Sequence, residues 1–283
     1  MKRLCTSMLL LAAVCWSYAD VNLQVFYDFG SENTACANQR SHRVTSTVEM
    51  FQPDKWGNTY FFVDIDYAIN HNKTPQKDPR NCPFGAYWEI ARCLNFWQNS
   101  SLKDLSLQIE YDGGLGIYGG HVVQGGYGIN HAVLIGPNYA LYTPDYKNTF
   151  TLQLLFKYIA DEYNMWQFQD ANGNHIKQSG NLVPLQFTFV WTCRDFCTLP
   201  GLTFSGFVDV WGQKQSVLNH RNNTYTDPSK QSFVICSEPQ LWYCVGQHFG
   251  CPNLNIGTEI ELSYNFTGAG FMCNPCLGLK WVF

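Results

Sequence analysis

The sequence alternates between apolar and polar residues over lengths that would cross a membrane as β-strands. Between Leu254 and Phe266, the even-numbered residues are mostly apolar, and the odd-numbered residues are polar or glycine. Successive side chains of a strand point to opposite faces, so a period of two predicts a strand with one apolar and one polar face. The same division occurs in residues 105–112, 150–158 and 185–192. This pattern predicts an all-β protein.

Twelve alternating segments follow one another along the chain. They are residues 21–30, 41–52, 58–70, 84–93, 104–113, 129–142, 148–160, 184–193, 201–211, 232–245, 253–266 and 270–283. Short links such as 53–57 and 143–147 alternate with longer ones such as 161–183. Short turns at one end and long loops at the other are typical of outer-membrane barrels. We therefore predict a twelve-stranded antiparallel up-and-down transmembrane β-barrel over residues 20–283.

The alternation alone does not say which face meets lipid. A soluble barrel or a two-sheet sandwich would show the same pattern with its apolar face turned inward. About eight strands already enclose little void, so side chains could not fill a wider barrel. The sorting of the connections by length also argues against a sandwich. We expect the apolar face to lie in the outer-membrane lipid, with a secreted soluble barrel or sandwich as the alternative.

With that assignment, the lumen is acidic. The inward-facing carboxylates are Asp28, Glu49, Asp64, Asp66, Glu89, Glu110, Asp112, Asp209, Glu238, Glu259 and Glu261, and the inward-facing cations are Arg43, Lys157 and Lys280. Phe26 and Trp211 share the inward parity. These side chains could form a network that holds the barrel's shape, or they could contact a solute in the lumen. Both interpretations stay open at this point.

The beginning of the chain has the features of a secretory signal peptide over residues 1–19. A basic start, an apolar run over residues 4–14 and small residues just before Asp20 are the three parts of such a signal. The formal net charge is −4, and charged residues make up 14% of the chain. This balance excludes a basic nucleic-acid binder, so no nucleic-acid polymer is expected as a partner.

Several short strings resemble, as a series, a Gram-negative outer-membrane family of unassigned function, the domain of unknown function family 5020, which is related to the nucleoside-specific channel Tsx. They lie at residues 25–30, 47–57, 62–67, 86–92, 204–211, 237–240 and 257–261. The resemblance spans nearly all of the mature chain. It implies a monomeric barrel in the bacterial outer membrane, with a narrow channel that passes nucleosides.

The last strand of the chain carries a candidate assembly signal. Residues 277, 279, 281 and 283 are Leu, Leu, Trp and Phe, and they form one apolar face. This strand should pair with residues 21–30 and close the wall. A terminal Phe283 at the periplasmic rim would be read by the barrel assembly machinery, which we expect as a partner.

Of the twelve cysteines in the chain, ten follow the predicted signal peptide, which is unusual for such a barrel. The candidate disulfides are Cys36 with Cys82, Cys193 with Cys197, and Cys244 with Cys251. Cys273 and Cys276 have a spacing that can bind zinc, but in a strand their side chains face opposite ways. We expect no metal site and no cofactor.

An enzyme is not expected, although some outer-membrane barrels are lipases. His42 and Ser46 share the apolar face, but four strand residues separate them by about 13 Å. His131 is also outward, with no outward serine beside it in its strand. The alternatives to a solute channel are a structural or adhesive barrel that acts through its outer loops, and a lipase-type enzyme.

Overall fold

The computed structural model describes residues 20–29, 43–68, 83–119, 124–160, 164–169, 175–177, 181–213, 218–219, 224–225, 232–266 and 268–283. The predicted signal peptide, residues 1–19, lies outside these ranges. No helix in the described part of the chain is long and apolar enough to cross a membrane.

The described chain is built almost entirely of strands. They are β1 (Asp20–Asp28), β2 (Arg43–Asp54), β3 (Gly57–Ala68), β4 (Pro83–Leu94), β5 (Leu105–Gly119), β6 (Gln124–Tyr142), β7 (Asn148–Ile159), β8 (Asn164–Gln169), β9 (His175–Lys177), β10 (Asn181–Arg194), β11 (Leu202–Gln213), β12 (Leu218–Asn219), β13 (Thr224–Tyr225), β14 (Ser232–Ser237), β15 (Gln240–Tyr243), β16 (Leu254–Tyr264) and β17 (Phe271–Val282). Two short 3₁₀ turns occupy Phe196–Thr198 and Val245–Phe249.

The strands form one closed antiparallel wall. Each wall strand pairs with its neighbour along the chain, and β1 pairs with β17 from Asn22↔Val282 to Asp28↔Cys276. Strands β14 and β15 are two halves of one wall strand, since both pair with β11 and with β16. The barrel therefore has twelve wall strands, as predicted. The pairs β8–β9 and β12–β13 lie outside the wall, in two of the long connections.

The wall strand formed by β14 and β15 is interrupted at Glu238 and Pro239. Proline has no N–H to give to a strand ladder, so an interruption here follows from the sequence. The neighbouring backbone adjusts to it, because the Ile260 N–H donates to the Pro239 carbonyl at 3.0 Å and the Glu238 N–H donates to the Phe207 carbonyl at 3.2 Å. The ladder is kept while the strand is offset locally.

The outer surface of the barrel is apolar and aromatic. In β17, Leu277, Leu279 and Trp281 are exposed, whereas the intervening Cys276 and Gly278 are buried in the interior. The face assignment predicted for the last strand is therefore confirmed. Near the short-turn end, rings on the outer face pack together, among them Phe150 with Phe189 at 6.1 Å and Trp191 with Phe204 at 5.7 Å between centroids.

The apolar exterior of this barrel indicates that its outer face lies in lipid. From Leu152 onward, strand β7 alternates strictly, with Leu154, Phe156 and Tyr158 exposed while Gln153 and Lys157 are buried. A closed wall satisfies the backbone of every strand internally, and an apolar outer band is solvated by hydrocarbon. The protein is thus an outer-membrane β-barrel with a polar lumen.

Glycine makes room for a large indole inside the lumen. Trp242 is 1% exposed and packs against Phe26, with ring centroids 5.5 Å apart. A Cβ atom on Gly278 would approach the Phe26 ring to 2.7 Å and the Trp242 ring to 3.0 Å. Leucine or valine at position 278 would therefore displace these rings and change the shape of the lumen.

Candidate functional site in the barrel lumen

The charged residues predicted to face inward lie on the inner side of the wall. Their inward placement agrees with the alternation of buried and exposed positions along each strand. This places Phe26, Asp28, Arg43, Glu49, Asp64, Asp66, Glu89, Glu110, Asp112, Lys157, Asp209, Trp211, Glu238, Glu259, Glu261 and Lys280 around one lumen. Their roles toward a solute stay predictions.

A basic residue organises the lumen near the long-loop end. Arg43, at the start of β2, pairs with Asp66 through NH1 and lies 3.8 Å from Asp28 through Nε. The Thr45 hydroxyl donates to the other oxygen of Asp66 at 2.6 Å. The Arg43 guanidinium also lies 5.8 Å from the centroid of the Phe84 ring. This side of the lumen mouth is a fully paired network.

Three carboxylates converge on the neighbouring strands β4 and β5. Glu89 lies directly opposite Asp112 in the ladder, and Glu110 lies two residues away on the same face. One oxygen from each lies within 4.8 Å of the others. The Tyr87 hydroxyl donates to Glu89 at 3.0 Å, and the Gln108 amide donates to Glu110. We call Glu89, Glu110 and Asp112 the carboxylate triad.

Lys157 connects the carboxylate triad to the strands beyond it. Its Nζ lies 3.6 Å from Asp112 Oδ2 and donates to Gln186 Oε1 at 2.7 Å. The same ammonium lies 4.3 Å from the centroid of the Trp211 ring. Because β5, β10 and β11 each supply one of these contacts, Lys157 on β7 is held in place by three other strands of the wall.

Carboxylates from opposite walls face each other across the lumen. Glu238 lies half-way around the ring of strands from Glu89, yet the two are close enough for their charges to interact. Glu89 also interacts with Asp209, and Glu238 with Asp64. We call Asp64, Glu89, Asp209 and Glu238 the acidic ring. Where these carboxylates are ionised, they make the middle of the lumen unfavourable for anions.

Glu238 is the member of the acidic ring that the broken wall strand supplies. Its carboxylate makes no hydrogen bond or ion pair with a described residue, in contrast to Asp64 and Asp209, which accept from Thr47 and Thr188. Strand irregularities often re-aim a side chain beside a functional site. The interruption at Pro239 therefore leaves a carboxylate available in the lumen.

Aromatic rings line the wall beside the acidic ring. Tyr60, Phe62 and Tyr87 follow one another, with centroid distances of 6.2 Å and 6.0 Å. The Tyr60 hydroxyl donates to Glu49 at 3.3 Å, and the Asn22 amide donates to the same carboxylate at 2.9 Å. These inward rings and carboxylates together can contact a flat polar molecule.

The third inward cation also lies on an aromatic ring. Lys280 Nζ is 4.4 Å from the centroid of the Trp242 ring. The Trp242 indole N–H donates to Gln240 at 2.8 Å, and the Gln240 amide donates to Glu259 at 2.6 Å. Arg43, Lys157 and Lys280 are thus each placed against an aromatic face, and this arrangement is favourable for a cation.

Buried amides complete the interior, and the sequence reasoning did not single them out. Among the described residues they are Asn22, Gln24, Gln108, Asn138, Gln153, Gln186, Gln213 and Asn274, each nearly inaccessible to solvent. Several bond to one another, such as Gln108 to Gln153 at 3.0 Å and Asn138 to Gln108 at 2.6 Å. Their inward parity was the available signal, but the prediction used charge and aromaticity alone.

The two candidate lipase residues in the described part of the chain, Ser46 and His131, each contact a tyrosine hydroxyl. The Ser46 hydroxyl lies 3.1 Å from the Tyr67 hydroxyl, and His131 Nδ1 lies 2.6 Å from the Tyr111 hydroxyl. His42 lies outside the described residues. These two contacts with tyrosine hydroxyls on the outer face are typical of residues at a membrane interface.

The predicted disulfides are not seen in the described turns. Cys193 and Cys197 are free thiols, and so are Cys244 and Cys251. The predicted pair of Cys36 with Cys82 lies outside the described residues. Cys276 is buried in the lumen while Cys273 occupies the alternate position of β17, as predicted for a regular strand.

The chain is similar to several solved outer-membrane proteins, at low sequence identity. The Salmonella typhi outer membrane phospholipase is 11% identical, with 93% of this chain and 90% of that chain covered and a TM-score of 0.44. OccK7 (OpdD) of Pseudomonas aeruginosa is 10% identical, with 94% of this chain and 99% of that chain covered and a TM-score of 0.35. The outer membrane channel DcaP of Acinetobacter baumannii is 9% identical, with 94% of this chain and 96% of that chain covered and a TM-score of 0.39. Likeness at this level says nothing about activity.

The sequence itself identifies the family. None of the curated proteins matches the chain. A family model does match, over residues 20–283, which is the whole barrel. The chain belongs to the family described as Domain of unknown function (DUF5020).

Proposed function

We propose that this barrel is a monomeric outer-membrane channel or binder for small solutes, and that nucleosides are among the solutes it takes, as the resemblance to a family related to the channel Tsx implies. The observation that carries the proposal is the acidic ring, in which carboxylates from opposite walls face one another beside inward aromatic rings. A barrel that only held loops in place would not need several carboxylates gathered in its centre.

The lining suits the two parts of a nucleoside. Ribose hydroxyls donate hydrogen bonds, and carboxylates such as that of Glu238 accept them. A base stacks on an aromatic face, and Phe62 and Tyr87 lie on the wall next to Glu89. A neutral solute with several hydroxyl donors and one flat ring is therefore better matched to this lumen than an anionic one.

Planar-bilayer recordings test the channel. We expect a small conductance that prefers cations, because the acidic ring repels anions. Glu238→Gln should weaken the preference, whereas Asp145→Asn, which removes a carboxylate from a short turn outside the lumen, should not. An anion-preferring conductance would contradict the proposed role of the acidic ring.

Added nucleoside tests the solute. We expect it to reduce the conductance in the wild type and to do so less in Tyr87→Leu. Tyr139→Leu is the matched control, since Tyr139 is exposed on the outer face. If no nucleoside changes the conductance or binds by calorimetry, the nucleoside proposal is wrong and the channel proposal stands. If the barrel also conducts nothing, the structural or adhesive alternative is favoured.

We propose no catalytic role for the barrel. Ser46 and His131, the candidate lipase residues, each have a tyrosine hydroxyl as a described partner. A lipase assay on the same purified sample checks this part of the proposal. Hydrolysis that is lost in both Ser46→Ala and His131→Ala would overturn it.

A further inference from the structure

The carboxylate triad of Glu89, Glu110 and Asp112 brings three oxygens together in the geometry of a cation site. One oxygen of each lies within 4.8 Å of the other two. Calcium takes oxygen ligands at about 2.3–2.6 Å, so two of its ligands can be separated by up to about 5 Å. A single ion between the three carboxylates would contact all of them without moving a strand.

The charges around the carboxylate triad do not balance. Lys157, 3.6 Å from Asp112, is the cation that contacts it among the described residues. Arg43 is taken by Asp28 and Asp66, and Lys280 lies on Trp242. With all three carboxylates ionised, the triad and one ammonium carry two net negative charges, which one divalent cation would neutralise.

A buried oxygen in the carboxylate triad also lacks a partner. Asp112 is 3% exposed, and its Oδ1 has no hydrogen-bond donor among the described residues. Lys157 contacts the other oxygen, Oδ2, so Oδ1 is the one left to take a ligand. A buried carboxylate oxygen without a donor or a metal is costly, and this orphaned atom points to a missing ligand independently of the cluster's charge.

The donor set favours a hard cation. All three groups offer carboxylate oxygens, and neither histidine nor cysteine joins them. Tyr87 and Gln108 donate to Glu89 and Glu110 and so fix how these carboxylates point. Such outer contacts orient the ligands of metal sites. Glu89 is only partly buried, so an ion could reach the site from the lumen and keep water ligands.

We propose that Glu89, Glu110 and Asp112 bind a hard divalent cation, calcium in the first instance, on the lumen wall. The site needs only the barrel itself. An ion here would neutralise negative charge at the acidic ring, to which Glu89 also belongs, and should lower the preference of the channel for cations. This effect on transport rests on the proposed function.

Terbium luminescence with calcium competition tests the site on purified barrel in detergent at neutral pH. We expect Tb³⁺ bound beside Tyr87 to be sensitised by its ring, and Ca²⁺ to displace it. Glu110→Gln and Asp112→Asn should each weaken binding roughly tenfold or more. Glu259→Gln is the matched control, because it removes a lumen carboxylate from β16, away from the carboxylate triad.

The outcomes separate this site from the channel. Folding of each variant is checked by the shift in electrophoretic mobility on heating, and Glu89→Gln serves if Glu110→Gln fails to fold. Absent wild-type binding overturns the proposal and means that protons hold the excess charge. Equal binding in wild type, Glu110→Gln and Asp112→Asn overturns it as well. Specific Tb³⁺ binding by a barrel that shows no conductance would support the proposed cation site and contradict the proposed channel.

Discussion

At the scale of single residues, the lumen cations show how the interior tolerates its charge. Lys157 contacts a carboxylate, an amide and an indole ring, which come from different strands. Together these contacts leave the ammonium little freedom to move. The lysine thereby compensates a buried carboxylate, that of Asp112, and ties three walls together.

Removing this ammonium should destabilise the barrel. Lys157→Met leaves Asp112 buried beside two other carboxylates, and loss of one partner of a buried ion pair costs about 3 kcal/mol or more. We expect the free energy of unfolding to fall by that amount in urea titrations without divalent ions. Lys157→Met combined with Asp112→Asn should recover much of it. Equal stability of the wild type and the single variant would show that Lys157 is not a structural partner.

At the scale of elements, the alternation of the sequence was enough to predict the wall. A period of two predicts where each strand lies and which side chains share a face. The twelve predicted segments and the pairing of the last strand with the first are confirmed. The pairs β8–β9 and β12–β13 were missed, since strands of two to six residues are too short to show a period. The break at Pro239 could be expected, because proline cannot donate to the ladder.

The candidate site was predictable only in part. Parity puts Glu89, Glu110 and Asp112 in the lumen, but it does not say that they meet. Their convergence depends on the register of β4 against β5, which sets Glu89 opposite Asp112. A shift of two residues would keep every face and separate these carboxylates. Register is fixed by turns and packing, and one sequence does not display it.

The turn between β10 and β11 has an acid-sensitive contact of its own. The Asp195 carboxylate accepts from the Lys147 ammonium and from the Gly201 N–H, at 3.0 Å for the latter. The Lys147 hydrogen bond, with the Gly201 N–H second, lowers the pKa of Asp195. A lowered pKa means that the contact stabilises the turn above the ordinary value of about 4 and is lost as pH falls through the lowered value.

Hydrogen exchange at the Gly201 amide checks this turn. After correction for the intrinsic rate, exchange should accelerate at acid pH in the wild type, below about pH 4. In Asp195→Asn the amide should exchange with no such step, since the asparagine does not titrate. Asp145→Asn, in the neighbouring turn, is the control that should keep the step. A step of the same size in Asp195→Asn would exclude Asp195 as its origin.

At the scale of the whole molecule, Phe283 allows closure of the barrel wall to be tested separately from assembly of the barrel into the outer membrane. The Phe283 N–H donates to the Val21 carbonyl at 2.9 Å, so the backbone of the last residue continues the seam between β17 and β1. Its side chain is 62% exposed and contributes little packing to the wall. We propose that this ring, which contributes little packing to the finished wall, is read as an assembly signal.

Phe283→Ala should therefore impair assembly without destabilising the finished barrel. The alanine keeps the bond to Val21, so barrel refolded in detergent should unfold at the wild-type urea concentration. In cells, less of the heat-modifiable form should reach the outer membrane, because the assembly machinery would lack its signal. Phe249→Ala is the matched control, since that ring is 63% exposed on a nearby short turn. Equal yields of both variants in the outer membrane would show that Phe283 is not the signal, and reduced stability of Phe283→Ala in detergent would instead assign it a place in the seam.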